Sequence, residues 1–238
     1  MTPIDKITQT LIEIRSTLNP DTLTQSELVQ LQSFFEPYKN QLRAGDKAEL
    51  VAVVDSEGHS SDLIAPRWLC HLLGLRHRVV HILLVWQSAG MGRVFVFQVR
   101  HWNKDDLPGH VDISAGGHVT HSDNQNPPFD TAYREMEEEL GIKADSLTKP
   151  LIYCGGYLNY VERPVENLYD AEWCDVFVGT VSNTGFSQIH FADEEVVGLY
   201  LCPENEVENL ITQTRIPMAG AIQQWRILMD LCKLAIEP

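Results

Sequence analysis

At 238 residues the chain can bury one substantial core with a small appendage, and its 44% apolar and 21% charged composition excludes intrinsic disorder. Its 33 acidic and 18 basic side chains give a formal net charge of −15. That balance disfavours nucleic-acid or anionic-membrane partners, which need clustered Lys and Arg, and suits a protein that recruits cations.

Taken in order, residues 1 to about 46 read as a helical extension. "IDKITQTLIEI" spaces its Ile and Leu at three and four, "NPDT" is a turn signal, and Thr24 with Glu27 forms a capping-box pattern. This hairpin is expected to pack on the main domain or on a second subunit, so a homodimer is one expectation. From residue 47 to 238 the texture is that of one domain ending in helices. "ELVAVV" is a strand run, and "RVVHILLVW" and "GRVFVFQVR" flank a glycine turn as a β-hairpin. The glycine-containing "PGHVDISAGGHV" precedes an acidic helix, "LIYCGGYLNYV" and "EWCDVFVGTV" supply strands, and "PENEVENLITQT" and "IPMAGAIQQWRILMDLCKLA" close the chain as two helices. Helices covering a mixed sheet are expected. The first residues lack a basic region followed by an apolar run, and "VVHILLVW" is too short to span a bilayer, so a soluble cytoplasmic protein is expected. Cys70, Cys154, Cys174, Cys202 and Cys232 show no Cys-x-x-Cys spacing and read as reduced, mostly buried thiols.

The informative segment is "DTAYREMEEELG". On a helix advancing about 100° per residue, Ala132, Tyr133, Met136 and Leu140 share one arc, and Glu135, Glu138 and Glu139 fall on an adjoining one. Glu137 points elsewhere, Gly141 stands at the C-cap, and Arg134 lies four residues before Glu138, within reach of its carboxylate. Carboxylates at i, i+3 and i+4 repel one another unless a hard divalent cation neutralises them, and Mg2+ prefers such oxygen ligands.

"REMEEELGI" resembles the second half of the Nudix box at every specified position, and "ISAGGHV" resembles the glycine strand end of that family, with Gly117 as the box glycine. Asp123 stands where the family usually has Glu. Ten residues separate it from Arg134 where the motif has seven, which reads as a three-residue insertion in "HSDNQN", with Asn126 as a helix cap. The resemblance covers about residues 49 to 205. It implies an α/β fold of the α+β kind, a Nudix-type α/β/α sandwich around a mixed sheet behind an N-terminal helical hairpin. It also implies a Mg2+- or Mn2+-dependent hydrolase cleaving the diphosphate linkage of a small-molecule substrate, without nucleic-acid or membrane partners.

On that resemblance Glu135, Glu138 and Glu139 are metal ligands and Arg134 orients them. Gly117 and Gly116 bring the backbone close, and Glu195 of "FADEEVVGLYL" is the general base. "HWNKDDLPGHVD" and "LGLRHRVVHILLV" resemble the isopentenyl-diphosphate isomerase branch. That likeness implies Lys104 and Arg100 as phosphate contacts and His118 as a metal ligand, with weaker parallels at His77 and Glu172. The branch's active-site cysteine is missing, for Gly116 stands at its place behind Ser114 and Ala115. A hydrolase is therefore expected over an isomerase, and a non-catalytic diphosphate-binding module is the rival from another class. The leaving moiety stays open; Trp102, Tyr157 or Tyr160 could stack on a base, with core packing as the alternative fate.

Overall fold

A computed structural model describes residues 3–42, 44, 48–104, 106–120, 127–191, 194–213 and 215–236. The boundary expected between 46 and 47, the acidic position Asp123 and the cap Asn126 lie outside the described residues. The helices are α1 (Pro3–Thr17), α2 (Gln25–Phe35), α3 (Arg67–Leu73), α4 (Pro127–Leu140), α5 (Asn183–Ser187), α6 (Val207–Thr212) and α7 (Ile222–Ile236). The strands are β1 (Leu50–Val54), β2 (Ser60–Pro66), β3 (Arg76–Ser88), β4 (Gly92–Arg100), β5 (Val111–Asp112), β6 (Ala115–His118), β7 (Ile152–Arg163), β8 (Leu168–Val181) and β9 (Val196–Pro203). These elements form an α+β fold, as expected, and they divide into two units.

The first unit comprises Met1–Val79, His118–Asn124 and Leu158–Cys174. Its helical start follows the local signals. The Thr24 hydroxyl accepts the Glu27 N–H at 3.3 Å while the Glu27 carboxylate accepts the Thr24 N–H at 2.8 Å, closing the expected capping box. The "NPDT" turn is a short 3-10 segment capped by Asn19. Leu11 of α1 and Leu28 and Phe35 of α2 are buried with Val51, Val53, Trp68, Leu69 and Leu72 in one apolar cluster. Full burial of each such side chain contributes roughly 1.5–3 kcal/mol. β1 pairs antiparallel with β2 from Leu50↔Pro66 and meets β3 at Val53↔His77.

The second unit comprises Val80–Gly117, Gln125–Tyr157 and Asp175–Pro238. The expected hairpin is present, β3 against β4 from Leu84↔Val96 to Ser88↔Gly92. β4 is the spine of this unit. One edge carries β9 from Val94↔Pro203 to Arg100↔Val196, and the other carries β3 and then β5 at Gln98↔Asp112 and Val99↔Val111. Phe95, Phe97, Val176, Val178, Leu210, Trp225 and Leu228 form the core, with Phe97 edge-on to Trp225 at 5.5 Å. The two C-terminal helices read from the tail are α6 and α7. All five cysteines are free thiols, four of them buried. Among the described residues no helix is long and apolar enough to cross a membrane.

Candidate active site

The acidic helix is α4, opened by two prolines in its first turn and ended by Gly141 at φ +67°. The Gly141 N–H returns to the Glu137 carbonyl at 3.0 Å. Ala132, Met136 and Leu140 are wholly buried, as the apolar arc requires. Tyr133 lies at the edge of that arc, its hydroxyl accepting the Leu151 N–H at 3.0 Å. Two of the three aligned glutamates are also buried: Glu135 is 9% exposed and Glu139 3%. Glu138 is half-exposed beside them, and Glu137 turns outward to Lys143 at 3.3 Å.

Among the described residues, few donors meet these carboxylates. Arg134 Nη1 lies 2.8 Å from Glu138 Oε2, the pair expected from the i, i+4 spacing, and 2.8 Å from Glu135 Oε1. One guanidinium therefore serves two acids. Glu139 Oε2 accepts the Gly116 N–H at 3.0 Å and the Gln98 side-chain amide at 3.3 Å. Gly117 faces Glu135 so closely that a Cβ there would lie 2.1 Å from Glu135 Oε1.

Burial pushes the Glu135 carboxyl up to about 7; Arg134 opposes the shift and Glu138 adds to it. Burial, then the Glu135 charge, raises Glu139 well above the usual carboxylate range. Two buried carboxylates that resist ionisation, set with a third beside one arginine, fit a divalent cation held by oxygen ligands. Their titration has a consequence for stability. Below the ordinary value of 4.5, Glu135 is protonated in folded and unfolded chains alike. Between 4.5 and about 7 only the unfolded chain releases the proton, so folding stability falls as pH rises through that window. The loss from Glu135 is on the order of 3 kcal/mol. Chelator-treated protein should melt at a lower temperature at pH 8 than at pH 5. Calorimetry of Glu135→Gln should show a shallower decline, and an equal slope in both proteins would overturn this account.

The loop after β4 lies at Glu195. The His101 N–H donates to the Glu195 carbonyl at 2.8 Å, the Lys104 N–H donates to the His101 carbonyl at 3.1 Å, and Lys104 Nζ pairs with Glu195 Oε2. Arg100 is engaged elsewhere: Nη1 on Asp112 Oδ2 at 2.8 Å, with Nε and Nη2 on the Asp106 carbonyl at 3.2 and 3.0 Å. Trp102 is largely exposed, its ring lying over Gly109, where a Cβ would come within 2.1 Å of it.

His118 belongs to the first unit, where it stacks on His77 at 5.2 Å and 7°. His71, His77 and His118 offer nitrogen atoms within 4.8 Å of one another, and His77, Asp170 and Glu172 form an overlapping group of the same compactness. The resemblance pointed to His77, His118 and Glu172 and missed His71 and Asp170. The signal for Asp170 was its i, i+2 spacing from Glu172 on one strand face. His71, on α3, carried no local signal. Gln98 was missed as well, although a lone amide in "VFVFQVR" breaks an apolar run.

Residues 75–224 match the family model described as NUDIX domain. Over 174 residues the chain is 32% identical to an uncharacterized Nudix hydrolase of Pseudomonas aeruginosa, covering 68% of this chain and 92% of that protein. Over 164 residues it is 28% identical to Nudix hydrolase 3 of Arabidopsis thaliana, covering 68% of this chain but 20% of that longer protein. A crystal structure from Deinococcus radiodurans superposes with a TM-score of 0.53 at 17% identity, covering 76% of this chain and 99% of that one, a likeness of fold. With the described box residues gathered around α4 and β6, the chain belongs to the Nudix hydrolase family.

Proposed function

We propose that this chain is a hydrolase acting on diphosphate bonds, dependent on Mg2+ or Mn2+, and that it cleaves the diphosphate linkage of a nucleoside diphosphate derivative or a related organic diphosphate. One observation carries the reading: Glu135 and Glu139 are buried beside Glu138 with Arg134 shared between two of the three acids. Glu135, Glu138 and Glu139 would hold the cation, which when bound supplies countercharge to the diphosphate and Lewis acidity at the phosphoryl group. Arg134 keeps Glu135 and Glu138 in register. Glu195 takes a proton from the attacking water, and Lys104 exchanges its bond to Glu195 for a phosphate oxygen of the substrate. Arg100 holds the loop through Asp106 and Asp112 and lends the phosphate site its positive field. The metal role implied for His118 falls, on this reading, to the histidine group of the first unit.

A diphosphate-binding module without turnover would be expected to lose a box glutamate, and all three are present. An isomerase would need a thiol near Gly116. Ser114 stands nearby instead, fully buried, its hydroxyl donating to the Val96 carbonyl and accepting the Leu84 N–H. The test is phosphate release from a panel of nucleotide and prenyl diphosphates with and without Mg2+. Turnover that needs the cation supports the reading, binding without release favours the module, and allylic products would revive the isomerase. Glu195→Gln should lower kcat by tens-fold to about a hundredfold, because a half-exposed base can be replaced in part by solvent. Unchanged kcat removes Glu195 from the mechanism.

A further inference from the structure

We infer that Gln98 is a positioning residue of the cation site, fixing Glu139 through one carboxylate oxygen so that the other is presented to the metal. The inference rests on the divalent-cation reading above. Gln98 sits on the spine strand β4, 3% exposed, within a run whose preceding residues Val94, Phe95, Val96 and Phe97 are all buried. An amide at such a place costs stability unless it is hydrogen-bonded, and an apolar side chain would suit the strand better. Its donor meets Glu139 Oε2 at 3.3 Å, the oxygen that also takes the Gly116 N–H at 3.0 Å. Two donors from two different strands thus converge on Oε2, which leaves Oε1 for a cation. The platform is rigid: Gln98 is paired with Leu199 of β9 on one side and Asp112 of β5 on the other, and its own N–H donates to the Ile113 carbonyl at 3.2 Å. Groups that orient a metal-binding side chain in this way set metal affinity while touching neither metal nor substrate.

A donor test separates site positioning from general packing. Gln98→Met keeps the shape and removes the N–H; Gln98→His keeps an N–H donor. Mn2+ binding to the substrate-free protein is measured by electron paramagnetic resonance of free Mn2+, alongside melting in chelator. Gln98→Met should weaken Mn2+ binding roughly ten- to a hundredfold while the chelated protein melts no lower than the wild type. Gln98→His should recover affinity to within about threefold, on the same principle. In turnover assays the Mg2+ activation constant should rise for Gln98→Met while kcat at saturating Mg2+ is largely kept. Wild-type Mn2+ affinity in Gln98→Met, or equal weakening in both variants, overturns the inference and leaves the cation reading standing. A wild-type protein that binds no Mn2+ overturns both. Should Gln98→Met fail to fold, Gln98→Leu takes its place with the same expectation.

Discussion

Glu138→Gln should lower kcat/KM by about 10³-fold, the scale on which removing one strongly placed electrostatic partner acts, while Glu137→Gln leaves it unchanged. The two residues are neighbours on one helix, so composition and helix propensity are the same for both. They differ in direction. Glu138 faces Arg134 at 2.8 Å beside the buried pair, whereas Glu137 meets Lys143 at 3.3 Å on the outer surface. Glutamine preserves the shape and an acceptor for Arg134, so the fold should survive with a melting temperature near that of the wild type. What the substitution removes is one unit of negative charge where the substrate diphosphate must be bridged to the protein. The loss should fall on kcat/KM at fixed Mg2+ and should be only partly repaired by raising the cation concentration. Equal activities of Glu137→Gln and Glu138→Gln would mean that the acidic run serves as a solvated face, and the site described above would have to be abandoned.

The difference between those neighbours was legible in the sequence because helical periodicity is local. Arg134, the apolar arc and Gly141 all stand in register with Glu135, Glu138 and Glu139, and a register of that kind is written in consecutive residues. The β3–β4 hairpin, the Thr24–Glu27 cap and the two closing helices were legible for the same reason. Burial was not. Nothing in "REMEEELGI" indicates that Glu135 and Glu139 lie under cover while Glu138 does not, since that depends on β6 and β4, which are distant in the chain. Lys104 and Arg100 show the same limit. Arg100 ends β4 and Lys104 stands in the loop just after it, yet their partners, Asp112 in β5 and Glu195 just before β9, are chosen by strand pairing. The division of the chain into two units, with β3, β6, β7 and β8 contributing residues to each, is likewise a property of long-range contacts, so an extension read from residues 1–46 could not reveal it.

Gly117→Ala should abolish most activity with little loss of fold, and the reason is space, since the backbone at Gly117 is not in the left-handed region. The added Cβ would stand 2.1 Å from Glu135 Oε1, 2.3 Å from its Cδ and 2.7 Å from Oε2, so the carboxylate has to retreat by more than ~1 Å to reach ordinary contact. Misplacement on that scale costs about 10²-fold, and more when the displaced group is a ligand. Gly116→Ala is the contrasting neighbour: its Cβ would meet the Val80 carbonyl at 2.7 Å and Ile113 Cδ1 at 2.6 Å, so backbone must move and stability should fall instead. Position 117 therefore acts on the site and position 116 on the fold. A double-mutant cycle decides whether Gly117 works through Glu135. In the Glu135→Ala background the carboxylate that obstructs the new methyl is gone, so adding Gly117→Ala should cost less than about threefold further, far short of the additive product. Fully additive losses would mean that the glycine serves some other contact, and the close approach of β6 to the acidic helix would lose its functional meaning.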